Sequence, residues 1–182
     1  PLGYTSGSEV SGNSWTIVNT LDSTQVKVVK VWDDGNNADN SRPTTLDVTL
    51  VAQGVKDTSA NPVAYVDMDT AWYTTFGITR TSTIDSAGEW KGTWSNLPKT
   101  YNGYPVLYEV NEAAVTGYTA QEPADKAVSG DTITITLTNK HTPSTTKVSV
   151  KKEWDDAENK LKNRPTSITV NLLKSTDGGV TY

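Results

Sequence analysis

One segment of the chain occurs twice, separated by a constant 122 residues. Residues 26–50 read VKVVKVWDDGNNADNSRPTTLDVTL, and residues 148–172 read VSVKKEWDDAENKLKNRPTSITVNL. A second pair of segments, at 3–20 and 117–140, shares the motif Gly-Tyr-Thr and an asparagine near its end. Self-similarity at a fixed period indicates a protein built from repeated structural units.

The order of these motifs predicts where each unit begins and ends. Residues 1–20 are interpreted as the C-terminal strand of a preceding repeat, and residues 21–142 as one complete domain. Residues 143–182 are interpreted as a linker and the N-terminal strands of a following repeat. A unit of this size is large enough for one independent core. Both ends of the chain are therefore expected to be incomplete domains of a longer array.

Composition narrows the class of protein. The formal net charge of −5 argues against a nucleic-acid partner, and abundant β-branched residues favour strands. The absence of cysteine excludes disulfides and thiolate chemistry, and a single histidine, His141, provides no Ser-His-Asp triad. No stretch is apolar enough to cross a membrane, and no signal peptide begins the sequence. We therefore expect a piece of a secreted all-β protein that is not a turnover enzyme, needs no cofactor and does not insert in a membrane within this segment.

A lysine lies on the apolar face of the first strand of each unit. Because strand side chains alternate between two faces, Val26, Val28, Lys30 and Trp32 share one face. Lys152 takes the equivalent place in the following repeat. The same register in two copies indicates that this placement is a property of the repeat.

An asparagine and a glutamate end two further apolar rows. Asn139 ends the row of the closing strand, Asn19 is its equivalent in the preceding repeat, and Glu112 ends the row of an earlier strand. The apolar residues of these rows are Ile133, Ile135 and Leu137 before Asn139, Trp15 and Ile17 before Asn19, and Val106, Tyr108 and Val110 before Glu112. The complete unit therefore carries Lys30, Glu112 and Asn139 on faces predicted to be buried.

Two interpretations of this polar trio remain open from the pattern alone. Burial drives a lysine toward its neutral, nucleophilic amine and a glutamate toward its neutral acid. If the three side chains meet, Lys30 can attack the Asn139 amide while Glu112 moves protons, which yields an isopeptide bond and ammonia. The alternative is a buried Lys–Glu ion pair with a hydrogen-bonded asparagine, the usual outcome for buried charges.

Five motifs together resemble the Cna B-type domain, a family that builds stalks of Gram-positive surface adhesins and pilins. They are Lys-Val-Trp-Asp-Asp to Arg-Pro at 30–43, Trp-Ser-Asn-Leu-Pro-Lys at 94–99, Tyr-Glu-Val-Asn-Glu at 108–112, Gly-Tyr-Thr at 117–119 and Leu-Thr-Asn at 137–139. The resemblance implies a β-sandwich with inverse immunoglobulin-like topology, repeated in tandem. It also implies an extracellular position at the cell surface or cell wall, with neighbouring repeats of the same polypeptide as partners.

Members of this family often carry a spontaneous isopeptide bond, and the resemblance assigns its residues. The linked lysine corresponds to Lys30, the linked asparagine to Asn139 and the catalytic acid to Glu112. Asn19 and Lys152 correspond to the linked residues of the flanking repeats. The implied function is a structural stalk repeat whose only chemistry is this autocatalytic step, without metal or cofactor.

An insert at about 53–90 matches none of these motifs and suggests an alternative function. Its tryptophans, Trp72 and Trp90, could bind a host matrix protein or a glycan, which would make the unit a ligand-binding adhesin module. The other interpretation is that these rings cap an edge of the sandwich.

Two further motifs are predicted to be structural. Leu97-Pro98-Lys99-Thr100-Tyr101 resembles the sortase signal Leu-Pro-x-Thr-Gly, but it lacks the glycine and is predicted to be a turn. The oxygen-rich segment 33–40 lacks the spacing of a calcium-binding EF-hand loop, so a hydrogen-bonded turn is expected there rather than a metal site.

Overall fold

The computed structural model describes residues 3–57, 59, 64–144, 146–175 and 180. The chain divides into two units, Pro1–Ser144 and Thr145–Tyr182.

The first unit is built mainly of strands, in agreement with its content of β-branched residues. In chain order the strands are β1 (Tyr4–Ser11), β2 (Ser14–Leu21), β3 (Ser23–Asp33), β4 (Thr45–Asp57), β5 (Ala64–Asp67), β6 (Thr81–Asp85), β7 (Lys91–Pro98), β8 (Thr100–Tyr101), β9 (Tyr104–Pro105), β10 (Leu107–Glu112), β11 (Thr119–Ala120), β12 (Asp125–Ser129) and β13 (Thr132–Lys140). A short helix, α1 (Thr70–Thr75), lies between β5 and β6.

Two sheets form the sandwich. The first has the order β11–β13–β3–β7, and β12 also pairs with β13. The second has the order β10–β4–β5, and β6 also pairs with β4. β3 and β13 run parallel, with Val28 opposite Ile135 and Lys30 opposite Leu137. The opening and closing strands of the unit are therefore direct neighbours, although they lie far apart in the sequence.

The core lies between these sheets and follows the predicted alternation of side chains. Buried apolar residues from the first sheet are Val26, Val28, Trp94, Leu97, Ile135 and Leu137, and those from the second are Leu46, Val48, Leu50, Ala52, Ile84, Tyr108 and Val110. Their burial is the main contribution that favours folding. The structure confirms the predicted all-β sandwich.

The insert at 53–90 contributes to the core through α1. Asp69 caps the helix by accepting a hydrogen bond from the Trp72 backbone at 2.9 Å. The side chains of Trp72 and Tyr73 are both buried, and the Tyr73 hydroxyl accepts a hydrogen bond from the Ala52 amide at 2.7 Å. Trp72 therefore packs into the sandwich instead of presenting a binding surface.

Residues 4–21, predicted to include a closing strand, form an antiparallel hairpin of β1 and β2. The turn falls at Gly12, whose φ of +60° suits a residue without a Cβ. Trp15 and Ile17 of its apolar row are exposed. The hairpin is joined to the rest of the unit by a hydrogen bond from the Asp22 amide to the Gly3 carbonyl at 2.8 Å.

The described residues of the second unit form little regular structure. Residues 146–175 contain a 3-10 turn at Ala157–Asn159 and none of the strands predicted for the following repeat. In the first unit, the equivalent strand β3 lies between β13 and β7 and pairs with both. A single strand without such neighbours leaves its backbone groups to water.

A cross-sheet hydrogen bond gives a test of the packing. The hydroxyl of Tyr108, on β10, donates to the Pro98 carbonyl on β7 at 2.7 Å, and both residues are buried. Tyr108→Phe leaves that carbonyl without its partner and should lower the free energy of unfolding by about 1–3 kcal/mol. Urea denaturation followed by tryptophan fluorescence measures the change. The exposed Tyr101→Phe is the control, and an equal loss in both variants would contradict this packing.

Candidate cross-linking site

Lys30 lies on the inward row of β3, where the strand alternation predicted it. Lys30 is 5 % exposed, and its Nζ donates a hydrogen bond to the Leu137 carbonyl of β13 at 3.1 Å. Nζ also lies 3.1 Å from Glu112 Oε2, as an ion pair whose angles fall short of a regular hydrogen bond. The amine is therefore held between the two sheets, next to one carboxylate.

Burial changes the protonation of this amine. Loss of hydration lowers the pKa of Lys30, and the neighbouring Glu112 carboxylate opposes part of that effect. A lowered pKa increases the fraction of neutral amine, the form that attacks a carbonyl carbon. The surroundings thus favour a nucleophilic lysine.

Asn139 lies on the same inward face, at the end of β13. It is 2 % exposed, and in the parallel register it is opposite Trp32, two residues along β3 from Lys30. Its amide oxygen Oδ1 is buried without a hydrogen-bond partner among the described residues. An unsatisfied buried oxygen is uncommon and requires an explanation.

Glu112 comes from the facing sheet. It is the last residue of β10, pairs with Val48 of β4, and its side chain is 10 % exposed. The three predicted site residues of the complete unit therefore lie on the inner faces of the sandwich, with Lys30 and Asn139 on neighbouring strands and Glu112 on the facing sheet.

Three aromatic rings lie beside this site. Trp32 contacts Trp90 and Tyr118 edge to face, with ring centroids 5.1 and 5.0 Å apart. Lys30 Nζ lies 4.7 Å from the Trp32 ring centroid. Strand alternation predicts Trp32 on the apolar face of β3, but it does not predict the contacts of Trp90 and Tyr118. The Gly-Tyr-Thr motif, which occurs at 3–5 and again at 117–119, is the sequence pattern that points to Tyr118.

A cleft of about 490 Å³ adjoins the site and is lined in part by Glu112, Asn139 and Tyr118. It connects the region around the carboxylate and the amide with solvent.

The equivalent residues of the flanking repeats are not in a comparable environment. Asn19 is exposed on β2, where its Oδ1 accepts a hydrogen bond from Ser6 Oγ at 2.6 Å. Lys152 is exposed in the second unit and donates to the Glu153 carbonyl. Neither residue lies in a core.

The oxygen-rich segment 33–40 contains a hydrogen-bonded turn, in which Asp34 Oδ1 accepts from the Asn37 backbone at 2.9 Å. Leu97 and Pro98 of the sortase-like motif are buried at the end of β7. In the part of the chain that the structure describes, no group of three or more acidic, histidine or cysteine side chains could hold a metal ion. The helices described are too short or too polar to span a bilayer.

His141 closes the end of the unit next to Asn139. Its Nδ1 lies 2.7 Å from the Gly117 carbonyl oxygen, and its Nε2 lies 2.8 Å from Asp39 Oδ2. Both oxygens only accept hydrogen bonds, so the ring satisfies both when it is doubly protonated. The Asp39 carboxylate, and secondarily the Gly117 carbonyl, raise the pKa of His141.

The two packed sheets define a β-sandwich domain. The chain belongs to the Cna protein B-type domain family. The family model matches residues 26–140 and, separately, residues 148–181.

The chain is also similar to individual proteins of known sequence or structure. The chain is 33% identical over 184 residues to the collagen adhesin of Staphylococcus aureus, and the match takes in 100% of this chain but 12% of that protein. A crystal structure of a single B repeat unit of the Staphylococcus aureus collagen-binding surface protein is 30% identical, with 78% of this chain and 61% of that chain covered and a TM-score of 0.47. The pilus adhesin SpaC from Lactobacillus rhamnosus GG is 24% identical, with 72% and 14% covered and a TM-score of 0.43.

The His141 contacts predict a pH-dependent stability. Because the folded-state pKa is raised, this contribution is fully present below the unfolded value of about 6.5 and is lost as the pH rises through the folded pKa. His141 is the only histidine, so an NMR titration of its ring protons is unambiguous. We expect a pKa above the ordinary value and easier urea unfolding in mildly alkaline buffer than in mildly acidic buffer.

Asp39→Asn is the matched control for His141. It removes the charge that raises the histidine pKa, so the titration should move toward the ordinary value and the pH dependence of unfolding should flatten. An ordinary or lowered pKa in the unmodified chain would contradict the proposed contact.

Proposed function

We propose that residues 21–142 form a stalk repeat of a bacterial surface adhesin or pilin, locked by an amide bond between Lys30 Nζ and the side-chain carbonyl carbon of Asn139. This proposal rests on the buried amine of Lys30, which lies 3.1 Å from the Glu112 carboxylate and is hydrogen-bonded to the strand that bears Asn139. The family assignment and the match to a collagen adhesin support a position outside the cell.

The proposed reaction is a transamidation within one chain. The neutral Lys30 amine attacks the carbonyl carbon of the Asn139 amide, and a new C–N bond forms. Glu112 accepts a proton from Nζ and delivers it to the departing amide nitrogen, so the original C–N bond breaks and ammonia is released. Atoms and charges balance without a metal, an oxidant or a second substrate.

The unsatisfied oxygen of Asn139 favours this chemistry over a purely structural ion pair. A structural role for the trio calls for a hydrogen-bonded asparagine, because a buried oxygen without a partner costs about 1–3 kcal/mol. Asn139 Oδ1 has no such partner among the described residues. The described contacts of Asn139 therefore lack the hydrogen bond that a purely structural role calls for.

The position of the pair suits a stalk under tension. Lys30 is on the opening strand and Asn139 on the closing strand, and these strands are parallel neighbours. Pulling on the two ends of the unit loads that pairing in shear, and an amide between the two residues would carry the load past residues 31–138. By the chain-entropy model, closing a loop of ~100 residues also stabilises the fold by about 4–5 kcal/mol.

The second match to the family model suggests the immediate partner of this unit. Because residues 148–181 match the same family, the partners that we propose are neighbouring repeats of the same polypeptide. The alternative of a ligand-binding insert loses its main support, because Trp72 is 5 % exposed and Trp90 packs against Trp32.

Intact-mass measurement tests the bond directly. The folded chain should weigh one ammonia less than its sequence, and a tryptic digest should contain a branched peptide that joins Lys30 to Asn139. Lys30→Ala should have the full sequence mass. Glu112→Gln keeps the shape but cannot relay protons, so it should fold and remain unlinked.

Each variant has its own contradicting outcome. An unmodified chain with the plain sequence mass would overturn the proposed bond. A Glu112→Gln chain that loses ammonia at the normal rate would leave Glu112 as a structural partner only.

Single-molecule pulling tests the mechanical function. Without the bond, Lys30→Ala should release residues 31–138, an extension of roughly 360 Å at full length. The linked chain should not show this extension at the same force. If the linked chain also extends by that length, the bond does not protect the stalk, whatever its mass shows.

A further inference from the structure

The loop that follows β3 is closed by an ion pair whose carboxylate is buried. Arg42 donates from Nε to Asp34 Oδ2 and from Nη2 to Asp34 Oδ1, both at 2.6 Å. Asp34 Oδ1 also accepts from the Asn37 backbone at 2.9 Å, and Asn37 Oδ1 accepts from the Arg42 backbone at 3.0 Å. Asp34 is 1 % exposed. Two-point pairing of this kind fixes the geometry of both partners.

This loop lies against the tryptophan that contacts Lys30. The Arg42 guanidinium carbon is 6.0 Å from the Trp32 ring centroid, and Lys30 Nζ is 4.7 Å from it. The Tyr118 hydroxyl donates to Asp34 Oδ2 at 2.9 Å, and its ring packs on Trp32. The ion pair, the indole and the amine therefore form a continuous set of contacts.

The second unit repeats this geometry. Arg164 donates to the two carboxylate oxygens of Asp156 at 2.8 and 2.5 Å. The Asn159 backbone donates to Asp156 at 3.1 Å, and the Arg164 backbone donates to Asn159 at 3.2 Å. Each of these contacts has a counterpart 122 residues earlier.

The contact between lysine and tryptophan is repeated as well. Lys152 Nζ lies 4.1 Å from the Trp154 ring centroid, and the Arg164 guanidinium carbon lies 5.7 Å from it. In the second unit these contacts occur without a surrounding sheet, since residues 146–175 contain no strand. All of the residues involved lie between positions 152 and 164, so local sequence is sufficient to form the arrangement.

We propose that Asp34 and Arg42 are positioning residues for cross-link formation, which close their loop locally and hold Trp32 against the Lys30 amine before Asn139 arrives. This inference rests on the proposed function of the unit. Contacts between near neighbours form faster than pairings between distant strands, and Asn139 lies 109 residues after Lys30. The indole then shields the amine from water and restricts a flexible side chain, as an efficient attack requires.

The rate of ammonia loss tests this role in the first unit. Unlinked chain, dissolved from inclusion bodies in urea, is refolded by dilution, quenched in acid at intervals and weighed. Asp34→Asn and Arg42→Gln should each slow the loss by about 10-fold or more per folded molecule, because the amine is less well positioned. The folded fraction is measured in parallel by tryptophan fluorescence.

A matched ion pair elsewhere controls for general destabilisation. Lys99 and Asp131 form an exposed pair at 2.6 Å, away from Lys30, so Asp131→Asn should leave the rate unchanged. Normal rates per folded molecule in both Asp34→Asn and Arg42→Gln would overturn the positioning role, since a purely structural pair would reduce only the folded fraction.

The second unit allows a test that needs neither a cross-link nor a folded sandwich. In the intact chain, the ε-methylene protons of Lys152 should be shifted upfield by the ring current of Trp154. Asp156→Asn should return them toward the ordinary position, whereas Glu153→Gln, which removes the exposed partner of Lys151, should not.

The two measurements separate the two proposals. If wild-type chain never loses ammonia but the Lys152 shift depends on Asp156, the proposed function fails and the locally formed loop stands. If the Lys152 protons are unshifted, or shifted equally in Asp156→Asn, the inference of a locally formed loop is overturned even where the bond forms.

Discussion

The parallel pairing of β3 with β13 is the constraint on which the rest of this structure depends. It makes the opening and closing strands neighbours, with Lys30 opposite Leu137 and Trp32 opposite Asn139. Because side chains in register on neighbouring strands share a face, the amine and the amide are directed into one core. The facing sheet needs to supply only one residue, Glu112 at the end of β10, to complete the trio. The geometry of the site therefore follows from strand order.

Much of this site could be predicted from the sequence, because alternation in a strand is a local property. The inward position of Lys30, Asn139 and Glu112 followed from a period of two, and the two polar residues of the first sheet are 5 % and 2 % exposed. The all-β class followed equally from local preference and from the repeat. The strand order did not follow from alternation. It came from a family resemblance, because long-range pairing leaves no local pattern in a single sequence.

What the sequence missed depends on contacts between distant segments. Nothing near Trp72 indicates that its ring faces the core, since α1 is short and its orientation is set by the strands around it. The pairing of His141 with Asp39 likewise joins positions 102 residues apart. The two partial repeats also show that a strand needs a pairing partner, which its own sequence does not reveal. Residues 4–21 form a hairpin because their partners are adjacent, whereas the strand predicted near Lys152 has no partner close in sequence and does not form.

Lys30, Glu112 and Asn139 are unfavourable core residues if their only role is to stabilise the fold. A buried ion pair is often no better than well-packed apolar residues of similar volume, and here an amide oxygen without a partner among the described residues adds a further cost. The proposed reaction would turn this free-energy cost into a gain in stability. It would convert the buried Lys30 amine into an uncharged amide, leave the Glu112 carboxyl beside the new bond, and close most of the unit into a covalent loop. The chain has no cysteine, so a disulfide cannot supply such a loop. Lys30, Glu112 and Asn139 destabilise the unlinked fold, but their reaction would stabilise the linked fold. Folding must therefore bring these three residues together before the unit reaches its full stability.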